Sequence, residues 1–260
     1  MAKRLDVRLV ELQMASSRHR ALGLILAGQV SVNQKAATKA GLMVSDDDQI
    51  EVLQTDHYVS RGAHKLLKAI EDYDIDLTDK VCLDIGASTG GFTQVMLEAG
   101  ARRVYSVDVG YGQFDYSLRR DDRVVVLERQ NARYLDHDII PEAIDFFSMD
   151  VSFISVRLLL PVIQKLLADK ARGVVLIKPQ FEAGRDQVGK GVINDPGIHQ
   201  QVIERILEFI TDMNLSPLAL GYSPIKGPKG NREFLLYLTN VSTKQPLDVA
   251  AVVAEAHREL

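Results

Sequence analysis

From Lys80 onward the chain alternates between short apolar runs and stretches in which apolar residues return every three or four positions. The runs "VCLDIG", "RRVYSVDVG", "RVVVLE", "IDFFSMDVS" and "GVVLIKP" read as strands, and a helix is expected to begin at Gly90. "HQQVIERILEFITDM" reads as a helix that gathers Val202, Ile203, Ile206, Leu207 and Ile210 on one face. "LSPLALGYSP" and "REFLLYLTN" read as a closing strand pair. Alternating strands and helices predict an α/β fold whose mostly parallel sheet is covered on both faces. Ligands on such sheets bind outside the carboxyl ends of the strands.

The first fifty residues follow another rhythm. Leu5, Leu9 and Leu12 fall at helical spacing. Leu22, Ile25 and Leu26 form the apolar face of a second helix, which Ser16 or Ser17 can cap and Gly28 can end. "VSVN" alternates as a strand, and "DDDQIEVL" reads as a turn and a second strand. "LQTDHYVSRGAH", Leu53 to His64, is polar and irregular and is expected to be a linker or hinge.

Composition adds limits. The 260 residues are 46% hydrophobic and 25% charged, enough for a large domain or for an ordinary one with a small companion. Cys82 is the single cysteine, which excludes an internal disulfide and a cysteine metal cluster, and the six histidines show no metal-ligand spacing. The opening "MAKRLDVRLVE" lacks an apolar signal core, and no apolar run approaches the ~20 residues that span a bilayer. A cytoplasmic protein with no metal and no membrane partner is expected. The net charge of −4 conceals an asymmetry: Lys3 to Gly41 carries +5, leaving −9 for the rest. A basic head on an acidic body suits a polyanion-binding module, although a solvated charged face has the same composition. Arg18 and Arg20 fall in the first turn of the second expected helix, where cations oppose the helix dipole but free N–H groups favour a phosphate.

The first strand–helix crossover, "LDIGASTGGFTQVML", holds Gly86, Gly90 and Gly91. Ser88 occupies the middle glycine of G-x-G-x-x-G, so this is not the dinucleotide pattern, and a hydride-transferring oxidoreductase is disfavoured. Asp108 ends the next strand about twenty residues on, where an acid can accept hydrogen bonds from ribose hydroxyls. A glycine turn with a distant acid and no pyrophosphate loop suggests S-adenosylmethionine. Asp84 would add negative charge near a sulfonium or amino group, and Asn131 could read an adenine edge. Ala87, Ser88, Phe92, Val109 and Ala132 complete the expected cofactor contacts. Lys178 follows a strand buried on both faces, where desolvating an ammonium is costly. Asp150 ends the preceding strand, close enough to pair with it. A structural ion pair at the sheet rim is the competing reading. Lys65 starts a helix before the first strand, and Glu233 stands at the mouth of the last. Pro179 to Gly197, rich in glycine and charge, is expected to be a loop over the substrate, with Arg185 and Lys190 as candidate phosphate contacts.

"RLDVRLVE", "SSRHRALGLILAGQVSVN" and "DDDQIEV" together resemble the RNA-binding domain named after ribosomal protein S4. "YVSRGAHKL", "DIGASTGGFT", "DVGYGQ", "MDVSFIS", "IKPQFEAGRDQVGKG" and "SPIKGPKGNREF" match FtsJ-like RNA 2′-O-methyltransferases, and Lys65, Asp150, Lys178 and Glu233 match their Lys–Asp–Lys–Glu tetrad. From about Arg4 to Leu238 the chain resembles the hemolysin A (TlyA-type) family of ribosomal RNA ribose methyltransferases. Ala63 and Val192 stand where that family has glycine. The resemblance implies a Rossmann-like S-adenosylmethionine-dependent methyltransferase sheet with a small N-terminal α+β S4-type domain. The expected divisions are residues 1–56 for the S4-type domain, 57–62 for a linker, 63–245 for the methyltransferase domain and 246–260 for a C-terminal helical tail. The implied partner is ribosomal RNA or a ribosomal subunit, and the implied target is a ribose 2′-OH, of cytidine in this family. RNA contacts are expected at Arg4, Arg8, Arg18, Arg20, Lys35, Arg61, Arg185 and Lys190. Asp150 is expected to serve both the tetrad and the cofactor. A membrane-lytic hemolysin is disfavoured by the lack of a spanning or lytic tract. A non-catalytic ribosome-assembly factor would leave the tetrad without purpose.

Overall fold

The computed structural model describes residues 2–15, 18–26, 29–37, 39–52, 57–189, 191–227 and 229–260, without the side chains of His19, Arg20, Leu26 and Arg185. The chain forms two compact units, Met1–His57 and Tyr58–Leu260.

The first unit runs β1 (Lys3–Arg4), α1 (Leu5–Glu11), α2 (Arg18–Leu26), β2 (Val30–Val32), β3 (Lys35–Ala36), β4 (Met43–Val44) and β5 (Ile50–Val52). β1 pairs with β4, and β2 lies between β3 and β5, all antiparallel. Leu5 and Leu9 of α1 meet Ala21, Leu24 and Ile25 of α2 over Val30, Val44 and Ile50. Leu12 and Leu22, expected on inner faces, are exposed. α1 stops at Glu11, so Leu12 lies beyond its last turn, and the buried stripe of α2 runs through 21, 24 and 25. The expected caps Ser16, Ser17 and Gly28 lie outside the described residues, as does the side chain of Leu26.

The second unit runs α3 (Ala63–Tyr73), β6 (Val81–Ile85), α4 (Gly91–Glu98), β7 (Arg103–Asp108), α5 (Tyr116–Arg119), β8 (Val124–Glu128), β9 (Ile144–Met149), α6 (Leu160–Ile163), β10 (Leu167–Ile177), α7 (Pro179–Glu182), α8 (Arg185–Val188), α9 (Pro196–Asp212), β11 (Ser216–Tyr222), β12 (Phe234–Thr239) and α10 (Val249–Glu259). The sheet order is β11-β12-β10-β9-β6-β7-β8. The five strands from β10 to β8 are parallel, and β12 runs antiparallel to both β10 and β11. Strand order reverses between β6 and β9, the switch point at which such sheets open a crevice.

Side chains alternate across the sheet, as the period of two requires. Val81, Leu83 and Ile85 of β6 join the core that α9 and α10 cover, including Val249, Val253 and Ala256 of α10. Cys82 joins the opposite core beneath α3 and α4. The stretch expected as a linker is largely packed from Tyr58 on. Tyr58 and Val59 lie against that second core, and the Val59 N–H donates to Gln94 Oε1 at 2.9 Å. Residues 53–56 of the stretch lie outside the described residues.

The segment after Lys178, expected to be a structureless loop, contains α7 and α8 and ends where α9 begins. Pro179 and Pro196 each occupy a first helical turn, where a missing N–H costs nothing. Asp195 Oδ1 caps α9 by accepting from the N–H groups of Gly197 and Ile198. Ile193 is buried, and its N–H donates to Asn231 Oδ1 at 3.0 Å.

Candidate active site

The sheet brings four charged residues to its carboxyl edge. Asp150 directly follows β9 and Lys178 directly follows β10, two adjacent parallel strands. Lys65 comes from the first turns of α3, and Glu233 immediately precedes β12. Lys65 Nζ lies 2.7 Å from Glu233 Oε2 and 3.2 Å from Asp150 Oδ2, and Lys178 Nζ lies 2.5 Å from Asp150 Oδ1. Lys178 Nζ also donates a hydrogen bond to Ser152 Oγ at 3.0 Å. Lys65, Lys178 and Glu233 are buried.

The electrostatics follow from that packing. Burial alone would lower the pKa of Lys65, but Asp150 and Glu233 outweigh it and hold the ammonium above the ordinary lysine value. Burial alone would raise Asp150, and the two lysines outweigh it and hold the carboxyl below the usual range. Lys65 is therefore a fixed cation between two carboxylates.

Beside this cluster lies a cavity of about 580 Å³, lined among others by Gly86, Ser88, Asp108, Val109, Asn131, Ala132, Asp150, Ser152 and Phe153. Asp108 ends β7 and fastens the glycine turn: Oδ2 accepts the Ser88 N–H at 2.8 Å and Oδ1 the Gly110 N–H at 2.6 Å. Asn131 Oδ1 is engaged by the Arg133 N–H at 3.0 Å, which leaves its amide nitrogen as the group for a ligand. Gly86 has φ +85°, and a Cβ there would collide with the Asp150 carbonyl oxygen. The glycine turn and the tetrad are thus packed backbone to backbone.

Five expected cofactor residues do not line this cavity: Asp84, Ala87, Gly90, Gly91 and Phe92. Asp84 shares the parity of Cys82, so its side chain is fully buried beneath α4, accepting from Thr93 Oγ1 at 2.7 Å and Ser148 Oγ at 3.1 Å. Burial pushes its pKa up to about 6, against those two hydroxyls. Gly90, at φ +97°, accommodates Leu118 and Phe114, and a Cβ on Gly91 would collide with Ser60 Oγ. The space a Cβ would take at these two glycines is filled by the chain's own side chains. Ala87 and Phe92 are buried in the core under α3 and α4.

A second cavity, of about 360 Å³, is lined by Lys178, Glu233, Ser152, Phe153, Gln180, Phe181, Val188, Gly191, Lys229 and Asn231. Ser152, Phe153 and Phe181 lie within the motifs of the sequence without any signal there that would assign them a role. Phe153 is 90% exposed at φ +64°, with its ring 5.0 Å from that of Phe181. An exposed aromatic in a left-handed conformation is costly, and such strain gathers at functional sites.

The expected RNA contacts are dispersed. In the first unit Arg4 holds Asp6 through two hydrogen bonds of 3.0 and 3.1 Å, and Arg18 reaches the same carboxylate at 2.9 Å. The Arg4 hydrogen bonds, with Arg18 behind them, hold the Asp6 carboxyl down to about 2 despite burial. Arg8 pairs with Asp46 at 2.9 Å and approaches Glu11 at 3.4 Å. Each guanidinium has five donors, so these partners leave others available. Lys35 and Arg61 are exposed. Lys190 and the side chains of Arg20 and Arg185 lie outside the described residues. Among the described residues no group of three or more His, Cys, Asp or Glu could hold a metal ion, and no helix is long and apolar enough to cross a membrane.

A parallel sheet with a glycine turn and acid at its switch point, and a lysine–carboxylate cluster at its edge, defines a methyltransferase of the Rossmann-like class. The chain belongs to the FtsJ-like methyltransferase family, whose model matches residues 58–240, and an S4 domain matches residues 3–50. It is 40% identical over 260 residues to the 16S/23S rRNA (cytidine-2'-O)-methyltransferase TlyA of Mycobacterium tuberculosis, covering 99% of this chain and 97% of that one. It is 43% identical over 223 residues to Hemolysin A of Brachyspira hyodysenteriae, covering 85% and 93%. Among solved structures, a Streptococcus thermophilus protein carrying the label hemolysin superposes with a TM-score of 0.77 at 40% identity, covering 99% of this chain and 96% of that one.

Proposed function

We propose that this protein transfers a methyl group from S-adenosylmethionine to a ribose 2′-OH of ribosomal RNA, with cytidine as the target nucleoside. The observation that carries the reading is the convergence of Lys65, Asp150, Lys178 and Glu233 within ion-pair distance beside a nucleoside-sized cavity. When bound, S-adenosylmethionine supplies an electrophilic methyl group. Its ribose hydroxyls suit the spare lone pairs of Asp108, its adenine suits the Asn131 amide, and Gly86 and Ser88 furnish the turn against which it rests.

A ribose hydroxyl is a weak acid and a poor nucleophile, so positioning supplies much of the rate. In this reading Lys178 steers the 2′-OH and takes its proton or stabilises the developing alkoxide. Asp150 holds Lys178 in place. Lys65, kept charged by its two carboxylates, and Glu233 hold the hydroxyl and ribose. Phe153 offers an aromatic face of the kind on which unstacked bases rest. The basic first unit supplies affinity through phosphate contacts. Methyl transfer from labelled S-adenosylmethionine to ribosomal RNA from cells lacking the protein, with the product mapped, tests the proposal. Labelled 2′-O-methylcytidine is the expected product. RNA that is bound but never methylated would favour an assembly factor instead.

A further inference from the structure

The two cavities share a wall. Among the described residues, Ser152 and Phe153 alone line both. One cavity is framed by the glycine turn and Asp108, the other by Lys178 and Glu233. A methyl group passing from a donor in the first to a hydroxyl in the second crosses at this wall. There Ser152 Oγ accepts a hydrogen bond of 3.0 Å from Lys178 Nζ.

Lys178 needs such a partner. Its ammonium group is a point charge with three rotatable donors on a flexible four-carbon stem. Asp150 holds it through one oxygen, the other being engaged by Lys65 at 3.2 Å, so a second partner is needed to fix the direction of the remaining donors. Among the described residues that second partner is Ser152, whose Oγ accepts from Lys178 Nζ at 3.0 Å. The choice of a hydroxyl is also informative. It can accept from an ammonium N–H or, after a half-turn, donate to an amine lone pair, so it holds the group in both protonation states. A carboxylate could do only the first.

We infer that Ser152 is a positioning residue for methyl transfer, fixing the direction of Lys178 Nζ where the two cavities meet. The inference rests on the methyltransferase reading of this site. It is tested with Ser152→Ala and Ser152→Thr in the full-length protein, by single-turnover methyl transfer at saturating S-adenosylmethionine and rRNA. The same samples are assayed for cofactor and RNA affinity and for melting temperature. In cofactor-free protein, the rate at which a small anhydride acylates Lys178 is followed by mass spectrometry. Ser152→Ala should lower the saturated rate by about 10- to 100-fold, the scale set by misplacing a reacting group by an ångström. Both affinities should change less than about threefold and the melting temperature by no more than in Ser152→Thr. Lys178, freed of its hydroxyl partner, should be acylated faster, and Ser152→Thr should restore most of the rate. The inference is overturned if the Ala variant transfers methyl at the wild-type rate, if its loss is wholly a raised KM for RNA, if Lys178 acylation is unchanged, or if the Thr variant is as slow as the Ala variant. A wild-type protein that methylates no RNA sinks the reading of the site itself, and that result is recognisable before any substitution is made.

Discussion

Replacing Asp84 by asparagine should make the protein more stable at neutral pH. The carboxyl lies fully buried beneath α4, with two hydroxyls for partners and the Asp150 charge nearby. Its pKa rises from 3.8 to about 6, chiefly through burial. Each unit is worth 1.36 kcal/mol, so the ionised form carries a cost of about 3 kcal/mol. The folded state holds this proton more tightly than the unfolded one. The group's contribution is therefore fully present below about pH 4, is lost as pH rises through about 6, and stays lost above that. Asparagine has nearly the same shape and no charge; one hydroxyl can go on donating to its amide oxygen while the other turns to accept from its NH2. At pH 8 the variant should gain up to ~3 kcal/mol, or roughly 6–12 °C in Tm for a unit of this size. The gain should shrink towards zero at pH 4. Urea unfolding of wild type and variant at both pH values reads the difference, in which other titrating groups cancel. S-adenosylmethionine affinity should hardly change, since Asp84 does not line the cavity. A variant less stable at pH 8, or a gain independent of pH, would refute the argument from burial. A cofactor affinity weakened tenfold would return Asp84 to the binding site.

Four further outcomes can be checked, three at the site and one on the basic head. Lys178→Ala should slow single-turnover methyl transfer by at least ~100-fold with cofactor binding intact; early melting with a wild-type rate would make the lysine architectural. Lys178→Arg, which keeps the charge but hardly ever gives up a proton, should retain part of that rate if the role is steering and none if it is an obligatory base. Asp108→Ala should weaken S-adenosylmethionine binding by about 1.5–3 kcal/mol, and calorimetry giving wild-type affinity would move the ribose site elsewhere. Removing residues 1–57, the first compact unit, should leave cofactor binding unchanged while lowering RNA affinity and flattening its salt dependence, because phosphate contacts release counterions; equal affinity at two salt concentrations would count against the basic head.

The central sheet was legible because strands buried on both faces leave continuous apolar runs, as "VVLI" does in β10. The start of β10 was not, because Leu167 to Arg172 carries Asp169, Lys170 and Arg172, and so reads as a polar turn. β1, β3 and β4 are two residues each, too short for any alternation to register. Within the site, Asp150 and Lys178 were readable at strand ends, whereas Lys65, on a helix, and Glu233, before a strand, stood out only through their motifs. Asp84 stands out in the sequence as an acid beside the glycine turn, but strand parity, which a sequence does not display, turns its carboxylate under α4 and away from the cavity. The glycines at 90 and 91 gave no hint that their empty space belongs to Leu118, Phe114 and Ser60, which are distant in sequence. Phe153 was hidden for a different reason: a left-handed φ on a phenylalanine is imposed by tertiary context and has no local signature.

That phenylalanine sets two kinds of selection against each other. Holding a bulky side chain in the left-handed region costs roughly 1–2 kcal/mol, and at 90% exposure its ring recovers little of that by burial. Glycine would relieve the backbone at once but remove the aromatic surface beside the tetrad. A screen that rewarded heat tolerance alone would drift towards the relaxed backbone and lose that aromatic surface as it went. Engineering for robustness should therefore leave this corner alone and look for its gains elsewhere, beginning with the buried charge under α4.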